Sequence, residues 1–298
     1  METMLEPLGY EFFRHGLIAA TLTGALCGLM GVYIVLRRMS YIGHGLSHAV
    51  FGGAVVSALM GWNFFIGAGA WGFLSALLIQ GTARRRNIGA DAAIGIVTTA
   101  SFALGVALIS KTRSFEQNFE SALFGNILGV TPQDLLAIGA VSVVIAIAVF
   151  FGYKQLLFTI FDPEIAPIYG IPTRWVDTGF ALALAATIVA CMNVVGVTLI
   201  AAAIVTPPAA ARLLTDSFGR LTIVSIVLGS ACGFAGMFVS YYWDVASGPA
   251  IILLAAAAFG VIYVGTGTVK SLKGRQRQTA PVRPAPPSPS PLFSSEPH

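Results

Sequence analysis

The chain has 298 residues, of which 56% are hydrophobic and 10% are charged, with a formal net charge of +4 and a mean hydropathy of +0.82. Soluble domains carry about 25% charged residues, so 13 acidic and 17 basic side chains are too few to cover a water-soluble globule of this length. The composition excludes a soluble protein and indicates a polytopic membrane protein. The alternating pattern of a membrane β-barrel is missing from the sequence, which predicts an all-α bundle of transmembrane helices.

Apolar runs long enough to cross a bilayer, at about 20 residues each, follow one another along most of the chain. The predicted spans are 12–36, 44–60, 64–83, 91–110, 135–151, 175–192, 194–211, 221–242 and 249–269. Because the pair Pro207 and Pro208 falls inside the seventh run and prolines break helices, we predict eight or nine crossings. The small-residue pairs Gly24/Gly28 and Gly229/Gly233 predict close packing between helices.

The basic residues sit mainly between the apolar runs and on one side of the predicted membrane. If Arg37 and Arg38 are inside, most other bases fall on the same side, and the exceptions are Arg14, Lys111 and Arg113. The positive-inside rule then predicts an external N-terminus and a cytoplasmic C-terminus. The positive charge is thus a topology signal, and we predict no nucleic-acid partner.

Two segments lie outside the predicted spans. Residues 119–130 are too short to cross and are predicted to be re-entrant or interfacial. After a transmembrane domain over 1–269, the composition turns basic and then rich in Pro and Ser, which predicts a disordered cytoplasmic tail over 270–298. The bases of this tail either anchor the topology or contact anionic membrane lipid.

Two histidines fall inside the second predicted span, where ionisable side chains are costly and mark pathways, gates or partners. His44 and His48 are four residues apart, so both imidazoles lie on one face of a helix, one turn apart. Two neutral imidazoles placed in this way can share one transition-metal ion. The alternative is that the pair makes hydrogen bonds between helices.

Asp91 opens the fourth predicted span shortly after a basic cluster, as His44 opens the second, so the two start at similar depth. A carboxylate near two imidazoles would make a mixed nitrogen and oxygen site suited to zinc, manganese or ferrous iron. Asp91 equally fits a structural role, because an acidic residue in the first turn stabilises the N-terminus of a helix.

The largest polar stretch between spans is 158–177, on the side predicted to be cytoplasmic. Asp162 and Pro163 are typical of a helix start and Gly170 of a helix end, so a short helix is predicted over about 161–172. An amphipathic helix at this place is either a docking surface for a cytoplasmic partner or a plain connection.

Motifs of nucleotide binding and hydrolysis are missing from the sequence. Without a Gly-Lys dipeptide there is no P-loop of the form GxxxxGK[ST], so nucleotide energy must come from another subunit. No GxSxG motif occurs, and the adjacent Ser47 and His48 point to different helix faces. We predict that the chain is not an enzyme and carries no cofactor.

Five stretches, in chain order, resemble the permease subunits of bacterial ATP-binding-cassette importers for zinc, manganese and iron, and together they cover most of the chain. They are RRMSYIGHGLSHAVFGGAVVSALMG, DAAIGIVTTASFALGVALIS, FDPEIAPIYGIPTRWVD, VVGVTLIAAAIVTPPAAARLL and SYYWDVASG. The resemblance implies a homodimeric permease of the bacterial cytoplasmic membrane. It further implies cytoplasmic ATPase subunits and an external solute-binding protein as partners.

The same resemblance implies roles for individual residues. The segment similar to the family's coupling helix contains Asp162, Glu164, Ala166 and Gly170, which would lie at the ATPase. The family's pathway motif resembles G-D-x-L-S-H, whose aspartate and histidine are candidate metal ligands, and these positions fall on His44 and His48.

The sequence departs from that motif, because His44 stands where the family pattern has aspartate. Exchanging a hard oxygen ligand for a borderline nitrogen predicts a preference for zinc over manganese. Two other functions stay open. One is a proton-coupled secondary metal transporter, in which the same residues form a proton relay, and the other is a membrane metal sensor or metalloenzyme that binds its metal tightly.

Overall fold

The computed structural model describes residues 6–83, 89–112 and 123–278. Over these residues the chain forms nine α-helices, two short 3-10 helices and no strand, which confirms the predicted all-α bundle. The α-helices are α1 (Glu11–Leu36), α2 (Ser40–Leu59), α3 (Phe64–Ala83), α4 (Ala90–Thr112), α5 (Pro132–Phe161), α6 (Thr173–Val195), α7 (Ile200–Leu214), α8 (Phe218–Trp243) and α9 (Ser247–Gln278). The 3-10 helices are Glu6–Gly9 and Ile127–Gly129.

Of the nine helices in this described part, eight are long and apolar enough to cross a membrane. The exception is α7, whose 15 residues reach about 22 Å, short of a hydrocarbon core of about 30 Å. The crossing predicted over 194–211 is therefore corrected to a shorter helix. Its break lies at Gly196, where φ is 88° and glycine is favoured, whereas Pro207 and Pro208 lie within α7.

The start of α5 follows directly from the local sequence. The Thr131 hydroxyl accepts a hydrogen bond of 3.2 Å from the Asp134 N–H, and the Asp134 carboxylate accepts one of 2.9 Å from the Thr131 N–H. This capping box, with Pro132 at the first helical position, fixes where the helix begins. The helix then continues for 30 residues with most of its surface exposed, as expected where a helix faces lipid.

Helices α1 and α8 pack backbone against backbone. A Cβ atom on Gly28 would lie 2.5 Å from the Ser225 carbonyl oxygen, and Gly24 faces the backbone of Gly229, so the two helices are antiparallel. The Ser225 hydroxyl donates a hydrogen bond of 2.7 Å to the Gly28 carbonyl oxygen. The predicted role of the small-residue pairs in helix packing is confirmed.

Helix α2 packs against α4 along a second close interface. Gly45 faces the side chains of Ile94 and Thr98, and Gly52 faces the backbone of Ser101. The two helices are parallel, because the residue numbers of the facing positions increase in the same direction along both helices. This register places the first turns of α2 and α4 at the same end of the bundle.

Residues 123–130 fold against the corner between α6 and α7. The Asn126 N–H donates to the Asn193 carbonyl oxygen at 2.8 Å, and the Thr198 hydroxyl donates to the Leu123 carbonyl oxygen at 2.7 Å. The bundle therefore holds this segment in place, and the re-entrant or interfacial placement of the piece predicted over 119–130 stays a prediction. Its first four residues, 119–122, lie outside the described residues.

The last helix extends beyond its predicted end. Helix α9 continues to Gln278, so residues 270–278, which were assigned to the disordered tail, are helical. The rest of the predicted tail, 279–298, lies outside the described residues, as do the basic residues 84–86.

Candidate functional site

The two predicted ligand histidines lie on one face of α2, as their spacing predicts. The ring centroids of His44 and His48 are 4.5 Å apart, and the ring planes meet at 83°. The His48 ring also packs edge to face against Phe102 of α4, with centroids 4.8 Å apart. Two imidazoles that bind one ion through nitrogens about 2.1 Å away have centroids about 5–6 Å apart, a little more than the separation of His44 and His48.

The pair lies on the open part of an otherwise buried helix. Tyr41 and His44 are exposed and His48 is half-buried, whereas most of α2 is buried. We call these three side chains the histidine stripe. His48 lies eight residues after Ser40, which corresponds to roughly 12 Å along the helix axis. The stripe therefore leads from one end of the bundle towards its interior.

One nitrogen of the stripe has no protein partner. The Nδ1 atom of His48 is buried and has no hydrogen-bond partner in the described part of the chain. The neighbouring Ser47 hydroxyl donates instead to the His44 carbonyl oxygen, at 2.8 Å. A buried nitrogen left in this state costs free energy, and neutral imidazole is a common metal ligand. This atom does not take part in the alternative role, hydrogen bonding between helices.

Asp91 lies in the first turn of α4, and its side chain is exposed. The parallel packing of α2 and α4 puts it at the same end of the bundle as His44. Among the described residues of a single chain, however, no group of three or more His, Cys, Asp or Glu side chains could hold a metal ion. One chain supplies two adjacent imidazoles, and a ligand role for His44, His48 and Asp91 stays a prediction.

Residues 162–172, which we call the docking segment, join α5 to α6. They form hydrogen-bonded turns in place of the regular short helix that was predicted. The segment begins with the Asp162 carbonyl oxygen, which accepts the N–H groups of Ile165 at 3.1 Å and Ala166 at 2.9 Å. These bonds make one compact helical turn directly after α5.

The segment ends in the hydrogen-bond pattern of a Schellman motif. The Gly170 N–H donates to the Pro167 carbonyl oxygen at 3.0 Å, and the Ile171 N–H donates to the Ala166 carbonyl oxygen at 3.1 Å. Gly170 has φ of 75°, a left-handed conformation that explains why glycine stands here. The sequence therefore predicted the place of this end correctly.

The four residues predicted for partner coupling divide into two kinds. Asp162, Glu164 and Gly170 are exposed on the docking segment, whereas Ala166 is fully buried within the chain. The side chain of Ala166 consequently packs inside the bundle and is not available to a partner.

Sequence reasoning missed the apolar side chains that the docking segment exposes. They are Ile165, Ile168 and Tyr169, whose exposed fractions are 45%, 82% and 72%. The sequence did contain a signal for them, because these large apolar residues lie between two predicted spans and are part of neither. Their exposure depends on the turn geometry, which the sequence alone did not give.

An ion pair at the same end of the bundle was also missed. Arg37 Nη1 lies 2.8 Å from Asp177 Oδ1, which ties the end of α1 to the beginning of α6. The sequence indicated only a topology signal at Arg37, because its partner is too distant along the chain for any local pattern to reveal.

The sequence as a whole matches a known transporter family. The model of the family described as "ABC 3 transport family" matches residues 9–265. That range contains the histidine stripe, the docking segment and all eight candidate spans found in the described residues, except the last residues of α9.

Proteins of similar sequence carry metal-transport names. The chain is 36% identical over 256 residues to the manganese transport system membrane protein MntC of Halalkalibacterium halodurans, covering 86% of this chain and 88% of that protein. It is also 36% identical over 256 residues to a protein of Haemophilus influenzae described as a probable iron transport system membrane protein, covering 86% of this chain and 94% of that protein.

Two solved structures share the architecture. PsaBC from Streptococcus pneumoniae, in complex with Fab, has a chain that superposes with a TM-score of 0.80 at 34% identity, covering 88% of this chain and 95% of that one. An inward-facing ABC transporter of metal-chelate type superposes with a TM-score of 0.69 at 16% identity, covering 85% of each chain, and so shows a common fold alone. Together with the family match, these relatives show that the chain belongs to the ABC 3 transport family.

Proposed function

We propose that the chain carries a divalent transition metal into the bacterial cytoplasm by alternating access, driven by ATP hydrolysis in partner subunits. Family and relatives identify it as the permease subunit of a metal ABC importer, a multi-pass protein of the bacterial inner membrane. The observation that carries the proposal is the histidine stripe, because two adjacent imidazoles line the open face of a membrane-spanning helix.

A homodimer is part of the proposal. In one chain His44 is exposed on a helix that crosses the membrane, and lipid is a costly surrounding for an ionisable side chain. A second copy that covers the stripe would remove this cost and bring two half-sites together. Four imidazoles, with Asp91 close to the same end, would then supply the ligands that a single described chain lacks.

The docking segment is the proposed contact for the ATPase subunits. Its exposed Ile168 and Tyr169 offer an apolar surface outside the membrane spans, and its Schellman motif makes that surface rigid. The segment continues directly into α6, whose Asp177 is paired with Arg37 at the end of α1. A displacement of the segment by a partner therefore reaches the corner that leads into α2 and the histidine stripe.

An external solute-binding protein is proposed to deliver the metal at the opposite end. This role, like the external N-terminus and the cytoplasmic docking segment, follows from family membership and from the predicted positive-inside orientation. The permease has no need of a tight resident metal, since a transported ion must also be released.

Zinc is the proposed cargo, with manganese next. Two nitrogen ligands per chain favour a borderline metal such as zinc, whereas manganese suits carboxylate oxygens. The relatives named as manganese and iron transport proteins favour harder metals. The proposed preference for zinc rests on His44, which stands where the family pattern has aspartate.

The test is the metal content of cells measured by elemental mass spectrometry. A strain that lacks the gene is complemented with wild type, His48→Ala or His44→Asp, and His15→Ala serves as a matched histidine control on α1, outside the stripe. We expect a metal deficit that wild type and His15→Ala restore and His48→Ala does not. His44→Asp is expected to shift accumulation from zinc towards manganese.

Other outcomes contradict specific parts of the proposal. Full rescue by His48→Ala would remove the stripe from the metal path. An unchanged zinc-to-manganese ratio in His44→Asp would remove the zinc preference. Uptake that persists when the partner ATPase is inactivated would favour the proton-coupled transporter instead, and a normal content of every metal would favour a sensor.

A further inference from the structure

A polar cavity of about 630 Å³ lies at the end of the bundle where α1 ends. Its wall is formed by the ends of α1, α3 and α5 and the beginnings of α2, α4 and α6. The polar lining consists of Arg37, Arg38, Gln80, Thr159, Thr173 and Asp177. The cavity is separate from the histidine stripe, none of whose residues lines it.

Arg37 makes two side-chain contacts at the wall of this cavity. Its side chain is 10% exposed, and its Nη1 lies 2.8 Å from Asp177 Oδ1. The ring of Phe180 lies against the guanidinium, with its centroid 4.8 Å from Cζ. These two contacts engage one nitrogen and one face of the guanidinium.

The rest of the guanidinium has no protein partner. Both Nε and Nη2 are buried, and neither has a hydrogen-bond partner among the residues that the structure describes. The contact with Asp177 uses one terminal nitrogen, so the edge formed by Nε and Nη2 is left unused. Buried charged donors without acceptors are destabilising.

That unused edge has the geometry of an oxyanion receptor. Nε and Nη2 present parallel N–H groups that match two oxygens of one carboxylate or phosphate group. Among the residues that the structure describes, the charged groups lining the cavity are Arg37, Arg38 and Asp177, two positive and one negative. Gln80 and Thr173 add neutral donors on the same wall.

We propose that this cavity binds a phosphate group, and that the Nε and Nη2 edge of Arg37, which is closed off in the unliganded chain, turns into the cavity to take two phosphate oxygens, with further contact from Arg38. The group belongs either to the headgroup of a membrane phospholipid or to free phosphate. A cavity of 630 Å³ is of the size that holds a small-molecule ligand, and it lies at the end of a membrane-spanning bundle, where phospholipid headgroups lie.

The experiment uses the purified full-length permease in a detergent without phosphate. Native mass spectrometry and thermal unfolding follow titrations with inorganic phosphate, with phosphatidylglycerol, and with diacylglycerol as the lipid that lacks a phosphate. The main variant is Arg37→Gln combined with Asp177→Asn, which replaces the ion pair by neutral side chains of similar shape and so avoids an unpaired buried carboxylate. Arg212→Gln is the control, because Arg212 is an exposed base outside the cavity with its own acidic neighbour.

We expect wild type to bind phosphatidylglycerol or phosphate in preference to diacylglycerol, and the double variant to bind about tenfold more weakly or worse. Asp177→Asn alone is expected to bind at least as tightly as wild type, because it removes the acid that competes for Arg37. Binding of the lipid but not of inorganic phosphate assigns the site to a headgroup, and the reverse assigns it to the free ion. Equal binding by wild type and a folded double variant, or no preference over diacylglycerol, would overturn the proposal.

Discussion

The interface between α1 and α8 and the histidine stripe of α2 treat polar groups in opposite ways. Between α1 and α8 the backbones touch, and the Ser225 hydroxyl is paired with the Gly28 carbonyl. On α2 the His44 side chain is exposed, and His48 Nδ1 has no partner in the described residues. The first region holds the bundle together, whereas the second leaves a buried nitrogen unpaired, which fits the proposed metal path. Substitutions in the two regions should therefore separate folding from transport.

The largest effect is expected from Gly24→Ala. The added Cβ would overlap the backbone of Gly229, so α1 and α8 must move apart, at a cost of about 3 kcal/mol. The measurement is the yield of monodisperse protein in detergent together with its thermal unfolding midpoint. Gly139→Ala on α5 is the control, because nothing lies within 4 Å of a Cβ at that position. Equal stability of the two variants would contradict the close packing.

A smaller effect, on assembly and not on folding, is expected from Ile168→Asp. This side chain is 82% exposed, so the permease should fold normally, but a carboxylate buried against a partner costs about 2 kcal/mol of binding free energy. Co-purification of the ATPase subunit with tagged permease measures the loss, and Ile168→Leu keeps the apolar surface as a control. Normal capture of the ATPase by Ile168→Asp would show that the docking segment is not the contact.

Ser225→Ala should destabilise the bundle modestly. Loss of the hydrogen bond to Gly28 is expected to cost about 0.6–1 kcal/mol, as for single bonds between membrane helices. Ser142→Ala is the matched comparison, since the Ser142 hydroxyl is buried without a partner among the described residues and its removal should be neutral or stabilising. The thermal unfolding midpoints of the two variants test this difference. The same change in both midpoints would contradict the expected difference between Ser225 and Ser142.

The smallest effect on stability is expected from His48→Leu. The substitution removes a buried nitrogen that has no partner in the described structure, so the unfolding midpoint without metal should be unchanged or slightly higher. Added zinc should raise the midpoint of wild type, because a ligand that binds only the folded state stabilises it, and should not raise that of the variant. A strongly lowered midpoint without metal would assign the stripe to the bundle core.

The features that the sequence predicted correctly are those set by local patterns. Hydrophobic runs gave eight of the helices that can span a membrane. The spacing of His44 and His48 gave one helix face, and Gly170 gave the end of the docking segment. Each of these depends on residues within one or two helical turns, where backbone geometry leaves few alternatives.

The features that were missed depend on contacts between distant parts of the chain. The proline pair suggested a break at Pro207, but the bundle accommodates both prolines within α7 and breaks the chain at Gly196. Ala166 is buried because the turn closes over it, and Arg37 meets Asp177 only when α1 and α6 are packed. Neither the burial of Ala166 nor the pairing of Arg37 with Asp177 has a local signal.

Helix α5 is longer than the hydrocarbon core of a bilayer is thick. Its 30 residues reach about 45 Å, against a hydrocarbon core of about 30 Å, so the helix either tilts or stands above the surface. Because the docking segment follows its last residue, bilayer thickness would set the height at which Ile168 and Tyr169 meet the proposed ATPase partner. A thicker membrane draws this contact towards the headgroups, and a thinner one lifts it clear, which makes assembly of the transporter sensitive to the length of the surrounding acyl chains.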